Sequence, residues 1–183
     1  MEARVGRTLG DAGMDPADVA AVQAAHRLAM ETRTAQLFPH HPDFLHPGRT
    51  VLILALDCGF LDPVGLAAAA LLESERVELR TAITPIRQAI GDDVAGWVLS
   101  VPLPGPELIE ALLGAPPEVQ RVALAERLDH CRHAKFWTDV GAKRRILEEV
   151  EAIYGPVAQR TEPALGRRFA HWAWAFGRSL NAS

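Results

Sequence analysis

An all-α fold, arranged as a single helical domain over residues 1–183, follows from three features of the sequence. Proline recurs just inside segment starts, glycine recurs just past segment ends, and strand-like alternation of apolar and polar residues is nearly absent. Pro16 follows Asp15, Pro63 follows Asp62, Pro85 follows Thr84, and Pro163 precedes ALGRRFAHWAWAF. At the first turn of a helix the missing proline N–H costs nothing, and the acidic or hydroxyl residue before it serves as a cap. Gly59 after VLILALDC, Gly91 after IRQAI and Gly114 after ELIEALL stand where a left-handed residue closes a helix.

Taken in order, this punctuation predicts helices at 16–37, 47–58, 63–73, 84–90, 92–100, 106–113, 117–135, 142–158 and 163–180. The third is so apolar through Ala67–Leu72 that it belongs in the core. The seventh carries Val119, Val122, Ala123 and Leu128 at helical spacing, and Leu124, Ala125 and Leu128 are expected to face inward. Pro102, Pro104 and Pro106 mark one loop, and Pro116 with Pro117 another; both are too short to link domains. In the last segment Trp172, Trp174 and Phe176 alternate with alanine, which places bulky rings on more than one side of a helix. Core packing plus a homodimer contact is the preferred reading of those rings, ahead of stacking on a base.

Composition narrows the function classes. A net charge of −4 argues against a nucleic-acid partner. The charge is uneven, because residues 141–183 hold 7 Lys and Arg against 4 Asp and Glu, including Lys143, Arg144 and Arg145. A solvated helix face explains that basic end more simply than a phosphate site does. The 2 cysteines, Cys58 and Cys131, lack partners at metal-ligand spacing, which fits a reducing, cytoplasmic setting. The N-terminal MEARVGRTLGDAGMD has no apolar run of the kind a leader needs, and no stretch is long enough to span a membrane, so no membrane partner is expected.

Three interruptions of the apolar helices carry the candidate chemistry. His46 opens a helix after the loop His40-His41-Pro42-Asp43, and a histidine there offers imidazole to a metal. Glu73 and Ser74 directly follow AAAALL, at the expected rim of the core. Glu126 lies within LAERLDHCR, with Asp129, His130 and His133 on the same helix. Three separate helices converging imidazole and carboxylate groups is how bundles build sites. Arg49, Arg127 and Arg132 lie close enough to serve a phosphate, and His40, His41 and Asp43 are substitute ligands for a rearranged metal site.

In this order the pieces resemble the hydrolase half of RelA/SpoT-type alarmone enzymes, within the HD superfamily. That family shows His-Pro at a helix start, then Ala-Ala-Leu-Leu-His-Asp, then Leu-Ala-Asp-Arg-Leu, and a Tyr-x-Pro-Leu-Ala-x-Arg segment. The counterparts here are His46-Pro47, AAAALLES at 67–74, LAERLDHCR at 124–132 and YGPVAQR at 154–160, with IRQAIGDDVAGWV at 86–98 between them. The resemblance spans residues 20–160 and implies an HD-type helical bundle.

It also implies a manganese-like ion and removal of pyrophosphate from the 3′ position of guanosine tetraphosphate by a metal-activated water. Carried over position by position, it makes His46, Glu73 and Glu126 the metal ligands, for Mn²⁺ or Mg²⁺, and Glu78 the remaining catalytic acid. Arg49, Arg127, Asp129 and His130 become the contacts to a guanine nucleotide or related phosphate ester. Only His46 is unchanged from the family's ligands; Glu73 replaces a histidine, Ser74 an aspartate and Glu126 an aspartate. A serine hydroxyl is a poor ligand, so impaired hydrolysis is expected, and binding no metal at all is the limiting case. The other class of reading is a catalytically inactive regulatory domain that binds a nucleotide or a protein.

Overall fold

The computed structural model describes residues 1–105 and 107–181, and among these it contains helices and turns but no strand. The helices are α1 (Glu2–Asp11), α2 (Pro16–Gln36), α3 (His46–Cys58), α4 (Pro63–Leu71), α5 (Ile83–Ala89) and α6 (Asp92–Ser100). They continue with α7 (Leu108–Gly114), α8 (Pro117–His133), α9 (Val140–Glu149), α10 (Gly155–Thr161) and α11 (Pro163–Asn181). Pro106, read from the sequence as the start of α7, lies outside the described residues.

The caps work as expected at two starts. Asp15 accepts a hydrogen bond from the Ala17 N–H at 2.8 Å and Asp62 accepts one from the Gly65 N–H at 2.6 Å, each with proline next in the chain. Gly59 ends α3 at φ 60°, and Gly91 precedes α6 at φ 127°, both conformations that favour glycine. Gly114 departs from expectation: it is the last helical residue of α7, and Ala115 makes the exit in an extended conformation. Pro116 is the reason, since it pushes the residue before it out of helical space.

Two further differences concern helices. Residues 2–11, assigned no element from sequence, form α1; Val5 and Leu9, one turn apart, are fully buried against the rest of the core. Two glycines in ten residues hide such a helix from a propensity reading. The single helix expected over 142–158 is interrupted by a π-helical turn, Val150–Tyr154, before α10. Pro156 has no N–H to continue the ladder, and a Cβ at Gly155 would lie 2.9 Å from the Val150 carbonyl oxygen.

α4 is the hub. Every residue from Gly65 to Leu71 is buried, and the helix packs on α2, α3, α6 and α8. Its alanines let four neighbours approach closely; at Gly65 a Cβ would come within 2.7 Å of the Phe60 ring. α8 crosses beside it and is buried continuously from Val122 to Cys131. At the C-terminal end α11 packs on α10, α8 and α9, with Trp172 stacked on Phe176 at 4.6 Å while Trp174 faces solvent. That i,i+4 pairing explains the alternation with alanine: two rings share the inner face and the third sits opposite. None of the described helices is long and apolar enough to cross a membrane.

Candidate metal centre

The polar residues that interrupt the core meet at one place. α3 supplies His46 and Arg49 from its first turn, the segment leaving α4 supplies Glu73 and Ser74, and α8 supplies Glu126, Asp129, His130 and His133. On α8 these fall at i, i+3, i+4 and i+7, so a single helical face carries all four. α4 ends at Leu71 rather than 73, and Leu72 turns out in extended conformation. That turn drives Glu73 and Ser74 inward; both are buried, not at the rim as the sequence suggested.

His46 is fully buried, and its Nδ1 lies 2.8 Å from Asp129 Oδ2. Asp129 also receives the Arg49 guanidinium on both oxygens, with Nε at 2.9 Å from Oδ1 and Nη2 at 2.9 Å from Oδ2. Burial opposes the Asp129 charge, but His46 and Arg49 together hold its carboxyl well below the usual range. An ionised Asp129 fixes the His46 proton on Nδ1. The lone pair of Nε2 then faces inward, where the atom is buried and has no hydrogen-bond partner. Its neighbours are Glu126 Oε1 at 3.9 Å and the His130 ring, stacked at 4.3 Å. Donor atoms of His46, Glu73 and His130 all lie within 4.8 Å of one another.

Glu73 is held from several sides. Arg33, fully buried at the end of α2, donates to Oε2 at 2.8 Å, and the N–H groups of Glu75 and Arg76 donate to Oε1 at 3.1 and 3.0 Å. Burial alone would raise this carboxyl, yet the His130 ring at 3.1 Å outweighs it and the pKa is lowered to about 2. Glu126 is clamped by Ser74, whose N–H and hydroxyl each donate at 2.8 Å, one to each carboxylate oxygen. His130 Nε2 lies 2.9 Å from Glu126 Oε1. For His130, burial opposes the imidazolium, but Glu126 and Glu73 override it and push its pKa up to about 10. Without a metal, the His130 proton is therefore the positive charge between the two glutamates.

A second cluster, Asp43, His130 and His133, also has metal-ligand spacing. Its chemistry is less suited. Arg49 Nη2 lies 3.0 Å from His133 Nε2, and a guanidinium only donates, so His133 carries its proton on Nδ1. That N–H is 2.9 Å from Asp43 Oδ1, although poorly aligned, since both atoms are buried with no hydrogen bond. His133 thus has a charged neighbour at each nitrogen, Arg49 at 3.0 Å from Nε2 and Asp43 at 2.9 Å from Nδ1, whereas Glu126 stands 3.9 Å from His46 Nε2.

The structure thus brings together His46, Glu73, Glu126, Asp129 and His130 from the residues singled out in the sequence. It does not bring Glu78 to them: that side chain is exposed on a short turn and paired with Arg76 at 2.9 Å. Arg127 is buried over the Tyr154 ring and paired with Glu75 and Glu149. Arg49 is occupied by Asp129, His133 and the Pro42 carbonyl. Both are internal ties and neither offers a free guanidinium. Arg132 leans toward Asp129 at 3.9 Å, His40 is exposed against Phe38, and Arg144 and Arg145 are exposed on α9.

Sequence reasoning missed Arg33 altogether, and read His130 as a nucleotide contact; in the structure His130 also lies at metal-ligand spacing from His46 and Glu73. The i, i+3, i+4, i+7 spacing on α8 is the signal that could have found His130; nothing local distinguishes Arg33.

Outside His130 opens a pocket of about 580 Å³, lined by His41, Asp43, Glu75, Arg76, Phe136 and Trp137 among others. A pocket of similar size between α1 and α2, lined by His26, Arg27 and Met30, lies apart from the cluster. Compared with models of known protein families the chain matches none, and no curated protein is significantly similar to it.

Proposed function

We propose that this chain is a divergent HD-type domain, related to the guanosine tetraphosphate 3′-pyrophosphohydrolases, that holds one divalent cation and has impaired hydrolysis. The observation that supports it is the buried, unpartnered Nε2 of His46, its tautomer set by Asp129, facing Glu73 and His130. A carboxylate behind a ligand histidine is the usual support of a metal site. His46, Glu73 and His130 would hold the ion, with Glu126 beside them. Two imidazoles among the donors favour Mn²⁺ over Mg²⁺, which prefers oxygen.

When bound, such an ion acts as a Lewis acid toward a phosphoryl oxygen. The chain's own part is positioning. Asp129 orients His46, Arg33 and two backbone N–H groups orient Glu73, and Ser74 orients Glu126. Burial of all three carboxylates excludes water from around them. What this chain lacks is a free carboxylate at position 74, where the resembled family has aspartate to orient the attacking water.

That same feature favours a second reading, a domain that binds a nucleotide in the cytoplasm without turning it over. Ser74 and Glu126 satisfy each other completely, and protonated His130 balances the glutamates with no ion needed.

Elemental analysis and calorimetry with Mn²⁺, run beside a guanosine tetraphosphate hydrolysis assay, test both. About one equivalent of Mn²⁺, lost in His46→Ala, with slow pyrophosphate release supports the first reading. Nucleotide binding with no product in either protein supports the second. Mn²⁺ bound equally by wild type and His46→Ala would sink the site as described.

A further inference from the structure

We propose that the exposed face of α11 docks on the exposed face of α6 in a second copy of this chain, a charge-matched contact between two unlike surfaces. It uses no residue of the polar cluster and does not depend on the cation reading. α11 carries Arg167, His171, Trp174 and Arg178 at i, i+4, i+7 and i+11, on one side of the helix, and all four are exposed. α11 contains no acidic residue. Among the described residues neither Arg167 nor Arg178 is paired with a carboxylate, whereas Arg168, on the neighbouring side, is taken by Asp57 at 3.0 Å. Arg178 lies over the Trp174 ring at 5.0 Å, so the two form one cationic and aromatic unit.

Trp174 borders a groove of about 530 Å³, lined from the π turn and α10 by Val150, Glu151 and Pro156 and from α11 by Phe169, Ala170 and Ala173. Glu151 is its one carboxylate. An apolar groove beside unpaired arginines selects a surface that offers an apolar side chain next to carboxylates. α6 has that form. Asp92, Asp93, Gly96, Leu99 and Ser100 are exposed on it, and Leu99 is 60% exposed. Asp92 and Asp93 join Asp62 and Trp97 in a pocket of about 490 Å³. The cation that opposes them is Arg87, 3.4 Å from Asp92; Asp93 has no ion-pair partner among the described residues. Gly96 has open space where a Cβ would stand, so another helix can approach closely. At about 1.5 Å per residue, Asp93 and Leu99 are about 9 Å apart along α6, and Ala170 and Arg178 about 12 Å apart along α11. Leu99 seated in the groove therefore brings the aspartates to Arg178.

Like surfaces repel. α11 against its own copy sets arginine against arginine with no acid on either helix, and α6 against α6 sets aspartate against aspartate. The unlike pair offsets both charges. α11 packs on α10, α8, α9 and α3, whereas α6 packs on α4 and α5, so the two surfaces belong to different parts of the bundle. Each copy thus offers both halves of the contact at once, the condition for head-to-tail association.

Sedimentation of the full chain without added metal, at concentrations up to about 300 µM, tests the contact in the range of weak protein pairs. Self-association is expected in about 50 mM salt and should weaken about tenfold in about 500 mM, because the charges involved are exposed. Trp174→Ala and Asp93→Arg should each leave a monomer, and since both positions are exposed these variants keep the core intact. Mixed in equal amounts they should form a complex again, because each keeps the surface that the other lacks. A wild type that stays monomeric overturns the proposal, and its sedimenting with phosphatidylserine vesicles instead would assign the α11 face to an anionic membrane. Association lost in Trp174→Ala but kept in Asp93→Arg, or a mixture that stays monomeric, overturns it as well.

Discussion

His46 and His26 are both buried histidines in the same helical core, and their surroundings make them different objects. His46 has one nitrogen tied to Asp129, and the other is left facing a glutamate and a second imidazole. His26, on α2, has neither nitrogen partnered. Met1 and Gly48 crowd it, since a Cβ at Gly48 would approach its Nε2 to 3.1 Å. Burial lowers the His26 pKa from 6.5, with only partial opposition from Glu2. Burial alone therefore says nothing of function. A histidine becomes a ligand candidate when one nitrogen is fixed by a carboxylate and the other is left free toward additional donors.

The largest expected effect breaks the polar region rather than the apolar one. Arg33→Met leaves Glu73 buried without the guanidinium paired to it and should destabilise the protein by about 3 kcal/mol, read by urea denaturation. A loss of under about 1 kcal/mol, the range of an ordinary surface pair, would show that the pair is not holding the cluster together.

Asp129→Asn probes the tautomer directly. The amide no longer demands a proton on His46 Nδ1, so Mn²⁺ affinity should fall by about 10- to 100-fold in calorimetry. Unchanged affinity would remove the distinction drawn between His46 and His26.

Acidity gives a third handle, with opposite signs for binding and for stability. To bind an ion His130 must give up its proton, so Mn²⁺ affinity should rise by up to about tenfold per pH unit between pH 6.5 and 8.5. The metal-free protein runs the other way. Because the folded-state pKa of His130 is raised to about 10, its contribution is full below 6.5 and is lost as pH climbs toward 10. A metal affinity independent of pH would exclude His130 from the ligands.

The smallest effect belongs to His26. Its folded-state pKa is lowered, so the native protein loses stability as pH falls below 6.5 and the unfolded chain takes up the proton. His26→Leu should remove that loss and leave Mn²⁺ binding untouched, with a gain of about 1 kcal/mol at pH 5.5 by thermal unfolding. A loss of Mn²⁺ in this variant would mean that the two regions are coupled.

Much of the fold was legible because its signals are local. Asp15-Pro16 and Asp62-Pro63 each state a cap and a first turn within two residues, and both helices begin there. Gly59 closes α3 with the left-handed conformation its position implied. α1 was not legible, because a short helix with Gly6 and Gly10 is held by packing of Val5 and Leu9 on distant segments. The π turn before α10 depends on Pro156 and Gly155 acting together within a longer helix. At the site, His46, Glu73 and Glu126 do lie near one another, and each interrupts an apolar segment at a point that burial must explain. Arg33 was not, because nothing in METRTAQ marks its arginine as the one that becomes fully buried.

The amino-acid order determined the helical class and most helix starts, and it singled out several polar residues that interrupt apolar helices. Those follow from caps, proline geometry and apolar spacing, all of which act over a few residues. Only the packing of α2, α3, α4 and α8 decided what the trapped groups do to one another. Asp129 pairs with His46 from 83 positions away, Ser74 clamps Glu126 from 52, and Arg33 meets Glu73 from 40. Proton positions and free lone pairs are set by such contacts, and no local pattern encodes them.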